Sequence, residues 1–142
     1  KYMGDEPFML TYGDGLADVD LKKLEEFHRQ HGRIATITAV NVGQRFGVLD
    51  IQQGGRIQAF REKNDRDGAL INGGFMVMNP QVFDYIQGDD TVLEKEPLEN
   101  LARDGELMAF THDGFWKCMD TQRDKMQLEA MWQSGQAPWK IW

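Results

Sequence analysis

Apolar positions along the chain come in short runs broken by glycine and charged residues, and two periods alternate. Pro7-Phe8-Met9-Leu10-Thr11-Tyr12 shows no in/out alternation and is stopped by Gly13-Asp14-Gly15, which predicts a strand over Phe8–Tyr12 buried on both faces. Asp18 or Asp20 suits the cap of a following helix. Its apolar positions Leu21, Leu24 and Phe27 with His28 recur at three- and four-residue spacing, and Gly32 closes the pattern. Ile34 to Val40, rich in Ile, Thr and Val, reads as a second strand. Strand, helix and strand in succession predict a βα crossover and favour a parallel sheet.

The middle of the chain changes character. Gly47-Val48-Leu49-Asp50-Ile51 and Arg56 to Phe60 flank Gly54-Gly55 and predict a hairpin. Asn64-Asp65-Arg66-Asp67-Gly68 is a polar loop, and Ile71 to Met78 is another strand with Gly73-Gly74 inside it. Pro80 suits the first turn of a short helix carrying Val82, Phe83 and Ile86. Pro97 opens a helix with Leu98, Leu101 and Ala102, closed by Gly105. Glu106 to Thr111 is the last clear strand, and a C-terminal helix carries Leu128, Met131 and Trp132. No repeat, low-complexity tract or linker interrupts the 142 residues, so one domain over residues 1–142 is expected.

Composition narrows the classes. With 16 Lys and Arg against 23 Asp and Glu, the net charge is −7, the opposite of a nucleic-acid footprint. A phosphorylated substrate stays possible, because a metal ion or one placed Lys offsets the local field. The lone Cys118 forms no internal disulfide, so a reducing, cytoplasmic setting is expected. No apolar run approaches the ~20 residues of a membrane helix. The chain opens on Lys1-Tyr2-Met3-Gly4 and enters a strand almost at once, which fits a piece of a longer chain as well as a whole one.

Four short stretches carry candidate chemistry. Asp14 between two glycines follows a buried strand, where open α/β sheets bind ligands; the plain alternative is an Asp-Gly turn. Glu62-Lys63 follows the hairpin, and its Lys suits a phosphate or a solvated loop. Asn72-Gly73-Gly74 marks either a ligand approach or a bulge. Asp120, after Trp116-Lys117-Cys118-Met119, is either a second carboxylate for a hard cation or a helix N-cap. His28, His31 and His112 show no metal-ligand spacing, and Cys118 has no C-x-x-C partner.

The order of these stretches is more specific than any one of them. LTYGDGLADVDL, TITAV, RFGVLDI, FREK, DGALINGGFMVMNP, EPLENLARDGELMAF, HDGFWKCMDTQRDK and APWKIW span nearly the whole chain. In that order they resemble the sugar-1-phosphate nucleotidyltransferases. INGGF, GFW, MDT and APWK point to the cytidylyl branch more than to the thymidylyl or uridylyl ones. The resemblance implies a three-layer, Rossmann-like α/β sheet, incomplete on its N-terminal side and decorated by a hairpin. It implies transfer of a cytidylyl group from CTP to glucose 1-phosphate, with Mg²⁺, in a homo-oligomer that binds neither nucleic acid nor membrane. Carried over residue by residue, Asp14 and Asp120 would hold Mg²⁺ and Lys63 the sugar phosphate. Glu62, Asn72 and Gly73 would meet sugar hydroxyls. Trp116 and the Arg45–Gly47 loop would line the sugar pocket, and Tyr12 and Gly13 would lie near the ribose.

One family feature has no counterpart here, the G-G-x-G-T-R loop and its Lys that cradle the triphosphate. The chain is therefore expected to match the C-terminal half to two-thirds of such an enzyme and to be inactive alone. A fragment serving only folding or oligomerisation, and a different base or sugar specificity, are the alternatives.

Overall fold

A computed structural model describes residues 3–41, 48–61 and 70–141. In chain order it holds β1 (Phe8–Leu10), β2 (Gly15–Ala17), α1 (Leu21–His31), β3 (Ala35–Val40), β4 (Val48–Ile51), β5 (Ile57–Arg61), β6 (Ile71–Met78), a 3-10 helix (Pro80–Tyr85), α2 (Glu96–Arg103), β7 (Leu107–His112), β8 (Trp116–Cys118) and α3 (Gln122–Gln133). Of the two candidate caps, Asp20 is the one used. Its carboxylate accepts the N–H groups of Lys22 and Lys23, both at 3.1 Å, a device worth about 1 kcal/mol. Gly32 ends α1 in the left-handed region at φ 63°.

The main sheet has the order β1-β6-β3-β7. β3 and β7 are parallel, but β6 runs antiparallel to both β1 and β3. The expected parallel sheet is thus corrected to a mixed one. β1 and β3 do run the same way, as a helical crossover requires, but β6 fills the slot between them. Close fit makes this possible: a Cβ on Gly73 would stand 2.9 Å from Val40 Cγ1 and 3.2 Å from the Thr38 carbonyl. The expectation that β1 is buried on both faces also fails. The strand lies at the edge of this sheet and Met9 is 48% exposed.

Two faces of the sheet are covered, giving three layers. On one, Ala35, Ile37 and Ala39 join Met76, Met78, Leu107 and Ala109 beneath Leu98, Leu101 and Ala102 of α2. On the other, Val77 packs with Val19 and with Leu24 of α1. The β4–β5 hairpin forms as its sequence predicts, with Gly54 and Gly55 at φ 90° and 84°. Its turn covers the outer edge of β7: the Ala109 N–H donates to the Gly55 carbonyl at 2.7 Å, and Arg56 bridges Met108. A free strand edge is thereby blunted.

α1 is tied to the sheet by a polar contact inside the apolar layer. The hydroxyl of buried Thr36 lies 2.8 Å from His28 Nδ1 and 2.7 Å from His31 Nε2. Burial lowers the His28 pKa, and burial with the charges of His28 and Arg33, opposed by Glu106, lowers that of His31 to about 4. Both values are depressed below the unfolded one of ~6.5, so the unfolded chain takes up protons first. The stability these groups contribute is complete above that value and is lost as pH falls through it toward 4. We expect the melting temperature to drop over that window, and to drop less in His31→Gln. A flat profile between pH 7 and 4 would contradict this.

Candidate functional site

A short ladder that the hydrophobic pattern does not announce brings the site together. β2 and β8 pair antiparallel, with Gly15 opposite Cys118 and Ala17 opposite Trp116. One step further, the Met119 N–H donates to the Asp14 carbonyl at 2.8 Å. Asp14 and Asp120, far apart in sequence, therefore flank one end of the same ladder, and both are exposed. The N-cap alternative for Asp120 is excluded by the contacts. Thr121 is the cap of α3, in a capping box with Asp124. Asp124 also holds Lys117 at 3.1 Å, which fixes β8 to the start of the helix. The Asp120 carboxylate accepts only from Cys118 Sγ, at 3.2 Å, among the described residues; burial and this neighbour push the thiol up to about 11.

The ladder stands over the carboxyl ends of the three strands that run in one direction. β1 leads to Tyr12, β3 to Asn41, β7 ends at His112, and β6 enters from the same side with Asn72 and Gly73. Ligands of open α/β sheets bind outside such ends. Four of the residues singled out by sequence touch in two pairs. Trp116 Nε1 donates to the Gly73 carbonyl at 2.7 Å, and Asn72 Nδ2 donates to the Tyr12 hydroxyl at 3.2 Å. The Asn72 carbonyl oxygen accepts the Gly74 N–H at 2.9 Å.

Gly74 has φ 84° at a register shift between β3 and β6, and a Cβ there would collide with the Tyr12 ring. The bulge reading of this glycine pair is correct, and the bulge is what seats Tyr12. Burial, and then a hydrogen bond to the Glu94 carboxylate, raise the Tyr12 pKa, so the phenol stays neutral. Asn72 thus donates to the Tyr12 hydroxyl, and the Glu94 and Asp14 carboxylates add to the rise of its pKa. Glu94 was not singled out by sequence: it lies in the acidic stretch before α2, which has no motif. Beside Trp116, a cavity of about 260 Å³ opens between the ends of β3 and β7, lined by Asn41, His112, Asp113 and Gly114. Arg45, Gly47, Glu62 and Lys63 lie outside the described residues.

The donor set fits Mg²⁺. Two exposed carboxylates supply hard oxygen ligands and leave the remaining positions to water and phosphate. Among the described residues no group of three or more His, Cys, Asp or Glu could cage a metal. No helix among the described residues is long and apolar enough to cross a membrane.

Comparison with known proteins agrees with this geometry. A family described as "Nucleotidyl transferase" matches residues 1–126. The chain is 56% identical over 138 residues to a glucose-1-phosphate cytidylyltransferase of Salmonella typhi, covering 97% of the chain and 53% of that relative. It is 46% identical over 142 residues to a probable glucose-1-phosphate cytidylyltransferase of Bacillus subtilis, covering 99% and 55%. The chain spans about half the length of the curated relatives it matches. In fold, it superposes on a putative glucose-1-phosphate thymidylyltransferase of Bacillus anthracis with TM-score 0.72 and 22% identity, over 90% of the chain and 55% of that structure.

Proposed function

The chain belongs to the nucleotidyl transferase family, and from that premise we propose that the protein it builds transfers a cytidylyl group from CTP to glucose 1-phosphate, giving CDP-glucose and pyrophosphate. One observation supports the reading beyond the similarity: the β2–β8 ladder brings the Asp14 backbone against Met119, the residue before Asp120, at the carboxyl end of the sheet. The chemistry is displacement at the α-phosphorus by a sugar-phosphate oxygen, and it depends mainly on positioning and charge neutralisation.

Asp14 and Asp120 would hold Mg²⁺, which when bound neutralises phosphate charge. Lys63 binds the sugar phosphate, Glu62, Asn72 and Gly73 the sugar hydroxyls. Trp116 and the Arg45–Gly47 loop line the sugar pocket, and Tyr12 and Gly13 adjoin the nucleotide ribose. The protein works in the cytoplasm as a homo-oligomer, a state favoured by the exposure of Met126 (62%) and Trp132 (50%) on α3. The test is pyrophosphate release by the full-length protein from glucose 1-phosphate with CTP, dTTP or UTP in turn. Fastest turnover with CTP is expected; a preference for another nucleotide, or none released at all, overturns the assignment.

Lys63→Ala should weaken glucose 1-phosphate more than CTP. A charge-assisted contact to phosphate is worth ~1.5–3 kcal/mol, roughly ten- to a hundredfold in affinity. Lys63→Arg should rescue little, because a planar fork does not replace a point charge on a flexible stem. Titration of the Lys63→Ala enzyme with each substrate decides. Unchanged sugar-phosphate affinity removes Lys63 from the site, and equal losses for both ligands assign it to general folding or nucleotide binding.

A further inference from the structure

At the far end of the ladder from Asp14 and Asp120, Asp18, which follows β2, meets His112, the last residue of β7, in a contact that the reaction as described does not use. His112 Nε2 lies 3.0 Å from Asp18 Oδ1 and 3.2 Å from the Phe115 carbonyl. The Asp18 backbone N–H donates to that same carbonyl at 3.2 Å. Asp18 Oδ1 is wholly enclosed, and no hydrogen bond is aimed at it among the described residues. His112 Nε2 thus stands within hydrogen-bonding distance of two oxygens, one of the Asp18 carboxylate and one of the Phe115 carbonyl. The site leaves no slack: a Cβ on Gly114 would collide with Asp18 Oδ1 and stand 2.6 Å from His112 Cε1.

What this contact joins is the ladder itself. β2 and β8 are three residues each and, among the described residues, pair only with each other, and a ladder that short is marginal without outside support. A slip of one residue would turn every side chain to the opposite face. One end is pinned by the Met119–Asp14 backbone hydrogen bond. The other end is pinned at Asp18, by its backbone hydrogen bond to Phe115 and by the close approach of its carboxylate to His112. We propose that Asp18, His112 and Gly114 form a latch that sets the register of β2 on β8 and thereby the spacing of Asp14 and Asp120. Asp18 and His112 are positioning residues, and the proposal rests on the reading of Asp14 and Asp120 as the metal carboxylates.

The test is Mn²⁺ binding to the full-length protein without substrate, followed by electron paramagnetic resonance, together with melting temperatures. Groups that orient metal ligands from behind typically change metal affinity 10- to 100-fold, and a loss in that range is expected for Asp18→Ala and for Gly114→Ala. Asp18→Asn keeps an acceptor for His112 and should stay within about threefold of wild type. Should Asp18→Ala not fold, His112→Phe, which keeps ring bulk and loses Nε2, takes its place with the same expected loss. Wild-type Mn²⁺ affinity in Asp18→Ala or His112→Phe, with binding lost in Asp14→Asn, overturns the latch and leaves the metal assignment standing. Wild-type affinity in Asp14→Asn overturns both. An equal loss in Asp18→Asn and Asp18→Ala also counts against the latch, since the retained acceptor would then rescue nothing.

Discussion

Asp14→Asn and Asp120→Asn should each reduce turnover by roughly 10³-fold or more at saturating Mg²⁺ while leaving the melting temperature within a few degrees of wild type. Asn matches Asp in size and loses only the charge. A hard cation takes anionic oxygen ligands, and metal stabilisation of a transferring phosphoryl group is worth several kcal/mol, where each ~1.4 kcal/mol is tenfold in rate. The fold should tolerate the change, because both side chains are exposed and neither caps a helix: Thr121 and Asp124 do that for α3. If the pair were a turn residue and a cap, Asn would serve well in both roles. Steady-state assays of the two variants, with thermal melts alongside, separate the readings. Near-normal turnover in either one removes that residue from the metal site, and loss of turnover with loss of folding assigns it to structure instead.

The largest effect on stability is expected at Gly74. Its φ of 84° is unfavourable for any side chain, and a Cβ would collide with the Tyr12 ring, with Cε2 3.1 Å away. Backbone strain of this kind costs of order 1–3 kcal/mol, and overpacking typically adds ~1–3 kcal/mol. Gly74→Ala should therefore lower the melting temperature by roughly 10 °C in a domain of this size. It should also displace Tyr12 from Asn72 and Glu94, and so weaken substrate binding in the molecules that remain folded. Gly88→Ala is the control, since it meets nothing within 4 Å and has no left-handed backbone. Equal melting temperatures for the two variants would mean that the bulge in β6 relaxes freely and does not seat Tyr12.

Much of the fold was legible in the residues themselves because its causes are local. Gly54-Gly55 marked the hairpin turn, Asp20 and Gly32 the ends of α1, and the β-branched run before Val40 a central strand. Pro80 and Pro97 each sit in the first turn of the helix they were expected to open. The candidate site is marked in the sequence as residue types in an order: Asp14, Asn72-Gly73, Trp116 and Asp120. What the residues left open was adjacency. β6 lies between β1 and β3, and a three-residue ladder unites Asp14 with Asp120, because pairing between distant segments is decided by which edges and faces are left to fill, not by any local propensity. For the same reason Glu94, Asp18 and His112 drew no functional reading from their neighbours in sequence. Their partners are Tyr12, Phe115 and each other, and only the packed sheet brings those groups within hydrogen-bonding reach.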